Sequence, residues 1–214
     1  MLQQKDNLEG IVTVAVTGGV ACGKSFVSSH LLDSYPEEQI LRFDCDAAVG
    51  ELLESRQVSE RIANLESKVM LDESSGLVEK VTLRKLAFEN ERFREKLEDL
   101  LHPLVLERVR ACIANARESV RIALIEVPLL YEASFPLERD FDLVVAASGS
   151  TQMKRLSEVR KLELNLARKI IEAQMPLHEK IIRGDVVVWN DGDISSLEVQ
   201  IGHLTARCAA LFEK

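Results

Sequence analysis

The sequence lacks the features of a disulfide-linked, zinc-binding or membrane-spanning protein. Its four cysteines are scattered over 214 residues without a C-x-x-C pair, which argues against a zinc ribbon or a disulfide framework and favours a reducing compartment. No apolar run approaches the roughly 20 residues of a transmembrane helix, and the segment Met1 to Gly10 has no apolar signal region. We therefore expect a cytoplasmic chain with no membrane partner.

Positive charge is also in deficit. The formal net charge of −8 argues against nucleic acid or an anionic membrane as the main partner. Any site for an anionic substrate must therefore be a local basic pocket. The 46% hydrophobic and 29% charged residues are ordinary values for globular proteins, and the length predicts one α/β domain with room for an inserted subdomain.

The segment Thr17–Ser25 fits the phosphate-loop pattern G-x-x-x-x-G-K-[ST]. Its glycines let the backbone approach an anion closely, and the amides, together with the dipole of the following helix, attract phosphate oxygens. In this pattern Lys24 reaches the β- and γ-phosphates and the Ser25 hydroxyl ligates magnesium. The alternative is a glycine-rich turn that binds nothing.

The residues on either side favour the nucleotide-binding interpretation. Ile11–Val16 is β-branched and apolar, as in a buried parallel strand, and helical periodicity begins at Lys24. Phe26 stands where a small hydroxyl residue is common, and we expect its side chain to point toward the sheet. Cys22 is interpreted as a small filler and not as a nucleophile, because no His–Cys arrangement is visible.

The remaining periodicity predicts a parallel sheet with crossover helices. Residues 52–118 are helical in character and too long for a simple crossover, so we predict an insertion. Residues 151–183 form a helical segment rich in Lys and Arg, which we interpret as a lid over a nucleotide. A closing helix is expected at Ile194–Phe212. The further strands are predicted at Gln39–Phe43, Arg121–Val127, Phe141–Ala146 and Val186–Trp189.

Two carboxylates end the second predicted strand. Ligands of open α/β sheets lie at the carboxyl ends of strands, so Asp44 and Asp46 are candidates to accept the proton of an attacking hydroxyl and to orient water on magnesium. The alternative is that Asp46 caps a helix beginning at Ala47.

The other candidate residues each have a structural interpretation as well as a functional one. Arg155 and Arg160 of the lid segment are candidates to neutralise a γ-phosphate, or they lie on a solvated helical face. By spacing alone, His102 before Pro103 indicates a helix terminus. Asn190 and Gly192 either make a turn or present backbone groups to a nucleobase. The N-K-x-D and D-x-x-G motifs of GTPases are absent.

Taken in order, these motifs resemble the dephospho-coenzyme A kinase family over nearly the whole chain. The phosphate loop is followed by the pair Asp44-x-Asp46 and later by Leu101-His102-Pro103. The matching landmarks beyond these are Val127-Pro128-Leu129-Leu130-Tyr131-Glu132, Gln152-x-x-Arg155 with Arg160, Ala173-Gln174-Met175-Pro176 with Lys180, and Asp185-x-Val187-x-x-Asn190-x-Gly192.

The resemblance implies a P-loop NTPase fold of the nucleoside-monophosphate-kinase type, in which helices flank a parallel sheet. It also implies that the insertion binds the acceptor coenzyme, that 151–183 is a lid, and that the γ-phosphate of ATP passes, with Mg²⁺, to the ribose 3′-hydroxyl of dephospho-coenzyme A. Asp46 would be the base, assisted by Lys24, Arg155 and Arg160. ATP would be bound by Gly18, Gly19, Ala21, Cys22, Gly23, Lys24, Ser25, Phe26, Asn190 and Gly192. The acceptor would be bound by Asp44, Lys80, His102, Pro128, Leu129 and Leu130.

The chain departs from the family pattern at several positions. Ala21 and Cys22 replace the usual Gly and Ser, and Lys80 replaces an Arg, which loses the two-pronged donor. Gly50 replaces a polar or basic residue, and Ile170 replaces a lid Arg, for which Arg168 or Lys169 are candidate substitutes.

Two alternative functions stay open from the sequence. One is a kinase of the same fold acting on a nucleoside monophosphate or a sugar, and the other is a nucleotide-regulated binding protein without phosphotransfer. The expected assembly is a monomer or a small homo-oligomer.

Overall fold

The computed structural model describes residues 10–212, with side chains to residue 210. Five strands form one sheet in the order β2-β3-β1-β4-β5. The strands are β1 Val12–Gly18, β2 Ile40–Asp44, β3 Ile122–Glu126, β4 Phe141–Ala146 and β5 Val186–Trp189. The helices are α1 Lys24–Asp33, α2 Cys45–Leu52, α3 Arg56–Ala63, α4 Lys80–Glu89, α5 Glu91–Ala114, α6 Gly149–Lys154, α7 Leu164–Glu172, α8 Leu177–Arg183 and α9 Ile194–Phe212. The five predicted strands and the closing helix are thereby confirmed.

Strand β1 is the centre of the sheet. It pairs in parallel with β3 and with β4, and β4 pairs in parallel with β5. Every residue of β1, β3 and β4 is buried, which is typical of parallel strands covered on both faces. Since Gly18 pairs with Val145 and Ala146 with Trp189, the carboxyl ends of three neighbouring strands meet at one edge. The phosphate loop leaves the sheet at this edge.

One compact unit comprises the sheet and the segments up to Phe43 and from Cys112 onward. Helices α1 and α9 pack on the sheet through residues such as Leu31, Leu197 and Leu204, which join the side chains of Val14 and Leu143 in one apolar cluster. Full burial of such a side chain stabilises the fold by about 1.5–3 kcal/mol. The phosphate loop is therefore held between a rigid strand and a well-anchored helix.

Residues 44–111 form a second compact unit, which contains α2, α3, α4 and most of α5, and an antiparallel bridge between Leu71 and Val78. Asp44 caps α2 by accepting a hydrogen bond from the Ala47 amide at 3.1 Å. The alternative that Asp46 is this cap is wrong, because the helix begins two residues earlier than expected. Pro103 lies inside α5, so the expectation of a helix terminus at His102 is also wrong.

Candidate active site

Two glycines of the phosphate loop occupy positions that no other residue fits. Gly18 ends β1 with φ +144°, and a Cβ there would lie 2.1 Å from the Val145 carbonyl oxygen. Gly23 has φ +88°, and a Cβ there would lie 2.3 Å from Asn190 Nδ2. Because φ is positive at both positions, a side chain would be strained at either one. At Gly18 it would also collide with the β4 backbone, and at Gly23 it would push away the Asn190 amide that holds Cys22 O.

The carbonyl groups of the loop are held by side chains from the second half of the chain. Gln152 Nε2 donates to Val20 O at 2.8 Å, and Asn190 Nδ2 donates to Cys22 O at 2.9 Å. Because a peptide unit is planar and trans, a carbonyl fixed in one direction turns the next amide in the opposite direction. These bonds therefore orient the amides of Ala21 and Gly23 away from the residues that hold the carbonyls, as an anion-binding loop requires.

A cavity of about 590 Å³ opens beside this loop, a volume typical of small-ligand sites. Its wall contains the basic residues Lys24, Arg155 and Arg160, the acidic Asp193, and apolar residues such as Phe26 and Ile194. The sequence-predicted residues that meet in this wall are Ala21, Gly23, Lys24, Ser25, Phe26, Arg155, Arg160, Asn190 and Gly192. A wall that holds cations, apolar side chains and the phosphate loop suits a nucleotide, which has anionic phosphates and a flat, weakly polar base.

Phe26 points into the cavity, so the expectation that it faces the sheet is wrong. Its side chain is 44% exposed, and its ring centroid lies 4.2 Å from that of His30. The reason lies in the helical period: Val27 and Leu31 are fully buried and occupy the face of α1 toward the sheet. The adjacent position is therefore turned by about 100°.

Arg155 binds backbone on both sides of the cavity. Its guanidinium donates to Ala21 O at 3.0 Å and to Asn190 O at 2.8 Å. It is the first residue of a π-helical turn, Arg155–Val159, a feature that is frequent at functional sites. Arg160 follows this turn, is exposed and lines the same cavity. The sequence predicted the same role for both arginines, but Arg155 is bonded to backbone oxygens whereas Arg160 is exposed.

Two buried charged residues near the loop escaped the sequence-based site assignment. Lys180 is fully buried and its ammonium lies 2.6 Å from Glu132 Oε1. Glu126, at the carboxyl end of β3, is 3% exposed and pairs with Arg42 at 2.6 Å. Their signal in the sequence is weak, because a lysine in a basic helix or a single acid after a strand is usually solvated. Only the family resemblance marks Lys180.

The loop after β3 contains the three predicted acceptor-binding residues Pro128, Leu129 and Leu130. Pro128 O accepts hydrogen bonds from Thr17 Oγ1 at 3.2 Å and from Lys180 Nζ at 3.3 Å. Leu129 is 44% exposed, whereas Leu130 is 2% exposed. Both leucines were predicted to bind the acceptor. The Leu129 side chain is accessible for such a contact, whereas the Leu130 side chain is part of the core.

The other predicted acceptor-binding residues lie in the second unit. Lys80 Nζ donates to Gly50 O at 3.2 Å and pairs with Glu54 at 3.0 Å, so two positions that depart from the family pattern contact each other. Asp46 is exposed in the first turn of α2. His102 is half-buried, and burial lowers the pKa of its imidazole even though Glu98 and Asp99 act in the opposite direction.

The environment of Cys22 agrees with its interpretation as a filler. The side chain has no exposed surface, and burial raises the pKa of its thiol despite the nearby Lys24 ammonium. A protonated, enclosed thiol is a poor nucleophile. In the lid segment, Ile170 is half-buried on α7, whereas its neighbours Arg168 and Lys169 are exposed.

Across residues 10–212, no helix combines the length and the apolar character needed to cross a bilayer.

The chain is similar to dephospho-CoA kinases in sequence and in fold. The dephospho-CoA kinase family model matches residues 12–196. A dephospho-CoA kinase of Fusobacterium nucleatum subsp. nucleatum is 30% identical over 187 residues, covering 87% of this chain and 93% of that protein. A crystal structure of a Thermus thermophilus protein aligns with a TM-score of 0.77 and 25% identity over 93% of this chain and 98% of that chain. A dephospho-CoA kinase structure from Campylobacter jejuni has the same fold, with a TM-score of 0.61 and 18% identity over 91% and 96% of the two chains.

Proposed function

The chain belongs to the dephospho-CoA kinase family, and from this premise we propose how its residues divide the work of phosphoryl transfer. It is an ATP-dependent phosphotransferase that phosphorylates dephospho-CoA, the final step of coenzyme A biosynthesis. The acceptor atom we propose is the ribose 3′-hydroxyl. The observation that carries the assignment is the cavity whose wall contains phosphate-loop residues, two arginines and the apolar side chains of Phe26 and Ile194.

The triphosphate of ATP lies, in this proposal, along the loop from Ala21 to Ser25. Lys24 Nζ donates to Gly19 O at 3.1 Å. It exchanges this carbonyl for the β- and γ-phosphates, which are stronger acceptors because they are charged. Arg160 adds a second cation to the γ-phosphate. Arg155 contributes charge to the same cavity while its donors remain on backbone oxygens.

A magnesium ion fits this site through Ser25, whose side chain lines the cavity. Among the described residues there is no group of three or more His, Cys, Asp or Glu side chains that could form a metal site. Mg²⁺ in kinases needs none, since one or two protein oxygens, phosphates and waters complete its shell. When bound, the ion would neutralise charge that develops on the β- and γ-phosphate oxygens.

Asp46 is the proposed base that takes the proton of the acceptor hydroxyl. The position after β2 allowed either Asp44 or Asp46 to be the base, and the family resemblance implies Asp46. Asp44 Oδ1 accepts the Ala47 amide at the start of α2. Asp46 is exposed in the first turn of the same helix. We therefore assign proton transfer to Asp46 and the capping role to Asp44, and we keep Lys80, His102, Pro128 and Leu129 as acceptor-binding residues.

The proposed setting is the cytoplasm, with no nucleic-acid partner. The net charge of −8 disfavours nucleic-acid binding. A monomer or a small homo-oligomer is expected, and sedimentation velocity at several protein concentrations tests that part independently of activity.

A coupled ADP-release assay with ATP, Mg²⁺ and dephospho-CoA tests the proposed reaction. We expect acceptor-dependent ADP release, and a reduction in kcat of at least about a hundredfold for Lys24→Ala and for Asp46→Asn. Release with a nucleoside monophosphate or a sugar, and none with dephospho-CoA, would reassign the substrate. ATP binding without release for any acceptor would make the chain a nucleotide-regulated binding protein, and unchanged kcat in Asp46→Asn would remove this residue as the base.

A further inference from the structure

Lys180 is a charged side chain with no exposed surface. Its ammonium lies 2.6 Å from Glu132 Oε1 and donates to Gly18 O and to Pro128 O, each at 3.3 Å. An ammonium has three donors, and these three oxygens can satisfy all of them. The burial cost, which is several kcal/mol for an isolated ion, is thereby offset by one carboxylate and two carbonyls.

The three acceptors of Lys180 belong to different parts of the active-site edge. Gly18 is the first glycine of the phosphate loop, Pro128 follows β3, and Glu132 also accepts the Met175 amide at 3.1 Å. The ammonium therefore links the carboxyl ends of β1 and β3 to the segment that leads into α8. Because the peptide unit is planar, the direction of the Gly18 carbonyl also sets the direction of the Gly19 amide.

Two ammonium groups share the Gly18 carbonyl. Lys24 lines the cavity, and its Nζ lies 3.4 Å from this oxygen. Lys180 is fully buried, and its Nζ lies 3.3 Å from the same oxygen. In the function proposed above, Lys24 moves to the phosphates when ATP binds. The carbonyl then loses the Lys24 donor, while Lys180 continues to donate to it.

Stability alone does not account for a charged pair at this position. Replacing a buried ion pair with apolar residues of similar volume is often neutral or stabilising. A lysine that orients two backbone carbonyls has a role that an apolar residue of the same size lacks. The two roles can be tested separately, because a stabilising role affects the free energy of unfolding whereas an orienting role affects the affinity for nucleotide.

We propose that Lys180 is a positioning residue, which holds the Gly18 and Pro128 carbonyls so that the phosphate loop keeps its anion-binding conformation while Lys24 engages ATP. This inference deepens the proposed kinase function and rests on it. It predicts that loss of the ammonium weakens ATP binding and slows transfer. It also predicts that, in a variant without the Lys180 ammonium, removing the charge of Glu132 restores stability but restores neither ATP binding nor the rate of transfer.

The experiment compares Lys180→Met, the double variant Lys180→Met with Glu132→Gln, and Arg117→Met as a control. Arg117 is exposed and precedes β3 at the opposite edge of the sheet, so its variant removes one positive charge away from the site. For each protein we would measure Tm, the Kd of a fluorescent ATP analogue, and kcat and KM for ATP and dephospho-CoA.

Lys180→Met leaves the Glu132 carboxylate without its ammonium and is expected to lower Tm. The double variant is expected to regain Tm to within about 3 °C of the wild type, a shift that corresponds to roughly 1 kcal/mol for a chain of this size. It should retain at least a tenfold increase in the Kd of the ATP analogue and in KM for ATP. The control should match the wild type in every measurement.

A double variant with both wild-type Tm and wild-type ATP affinity would overturn the proposal, because Lys180 would then only balance the charge of Glu132. Failure of the proposed function is distinguishable: the wild-type protein would itself show no ADP release with dephospho-CoA. In that event the Kd of the ATP analogue still decides the role of Lys180, since this measurement needs no acceptor.

Discussion

Arg155 and Ala21 are joined by a hydrogen bond from the guanidinium to the Ala21 carbonyl oxygen at 3.0 Å, and Ala21 has a positive φ of +57°. The bond thus secures a strained, non-glycine residue in the middle of the phosphate loop. Since the same guanidinium also reaches Asn190 O at 2.8 Å, it ties the loop to the end of β5.

Replacing Arg155 with Lys should weaken ATP binding although the charge is kept. A lysine cannot place two donors in the fixed fork that spans the Ala21 and Asn190 carbonyls. Loss of one charge-assisted hydrogen bond corresponds to about 1.5–3 kcal/mol, or roughly a tenfold to hundredfold rise in Kd. Isothermal titration with ATP and steady-state kinetics measure the effect.

Arg160→Lys is the matched control for this substitution, since Arg160 lines the same cavity and is exposed. We expect it to lower kcat more than it raises the Kd of ATP. If Arg155→Lys changed kcat and left the Kd of ATP unaltered, Arg155 would act on the γ-phosphate and not through the loop.

Ala21→Gly should stabilise the protein. An L-residue in the left-handed region carries strain on the order of 1 kcal/mol that glycine avoids. For a chain of this size the expected rise in Tm is about 2–4 °C, which differential scanning calorimetry can resolve. Ala133→Gly is the control, because Ala133 is not among the described positive-φ residues and the change should lower Tm. A lower Tm in Ala21→Gly would contradict the strain argument.

Phe26→Thr should raise KM for ATP with little change in KM for dephospho-CoA. The exposed ring lines the cavity, and in the proposed function its contact with a nucleobase is worth about 0.5–1.5 kcal/mol, or roughly twofold to tenfold in KM. Val199→Thr removes another exposed apolar side chain, 61% exposed on α9, and should leave both KM values unchanged. Equal KM for ATP in Phe26→Thr and the wild type would exclude the ring from the nucleotide site.

Asp44→Ala should lower the free energy of unfolding by about 1 kcal/mol, because it removes the cap on the Ala47 amide. Asp46→Ala is the comparison, since Asp46 is exposed and its loss should reduce kcat far more than stability. Urea unfolding followed by circular dichroism, together with ADP-release kinetics, separates the two effects. Similar stability losses in both variants would contradict the assignment of the cap to Asp44.

His102 should make the protein less stable in mild acid. Burial lowers the pKa of its imidazole below the ordinary value of 6.5, so the unfolded chain binds the proton first as pH falls. The stabilisation is complete above pH 6.5 and is lost as pH falls from there through the lowered native pKa. Urea unfolding of the wild type at pH 7.5 and 5.5 should show this loss.

His102→Gln should show a smaller decrease in the free energy of unfolding between these two pH values than the wild type. His203→Gln, at an exposed position on α9, is the control and should keep the wild-type decrease. An identical pH dependence in His102→Gln and the wild type would remove His102 as the source.

Local patterns in the sequence determined the strands, the phosphate loop and the closing helix, because apolar periodicity and glycine spacing act over a few residues. The ordered motifs also indicated the dephospho-CoA kinase family, and the family match confirms this. Tertiary structure alone decided which side chains hold the loop. The bonds from Gln152 to Val20 and from Asn190 to Cys22 span 132 and 168 residues of chain, a separation about which periodicity carries no information. Lys180 lies in a basic segment and Phe26 on α1, and the places of both beside the phosphate loop depend on strands that bring distant segments to one edge of the sheet.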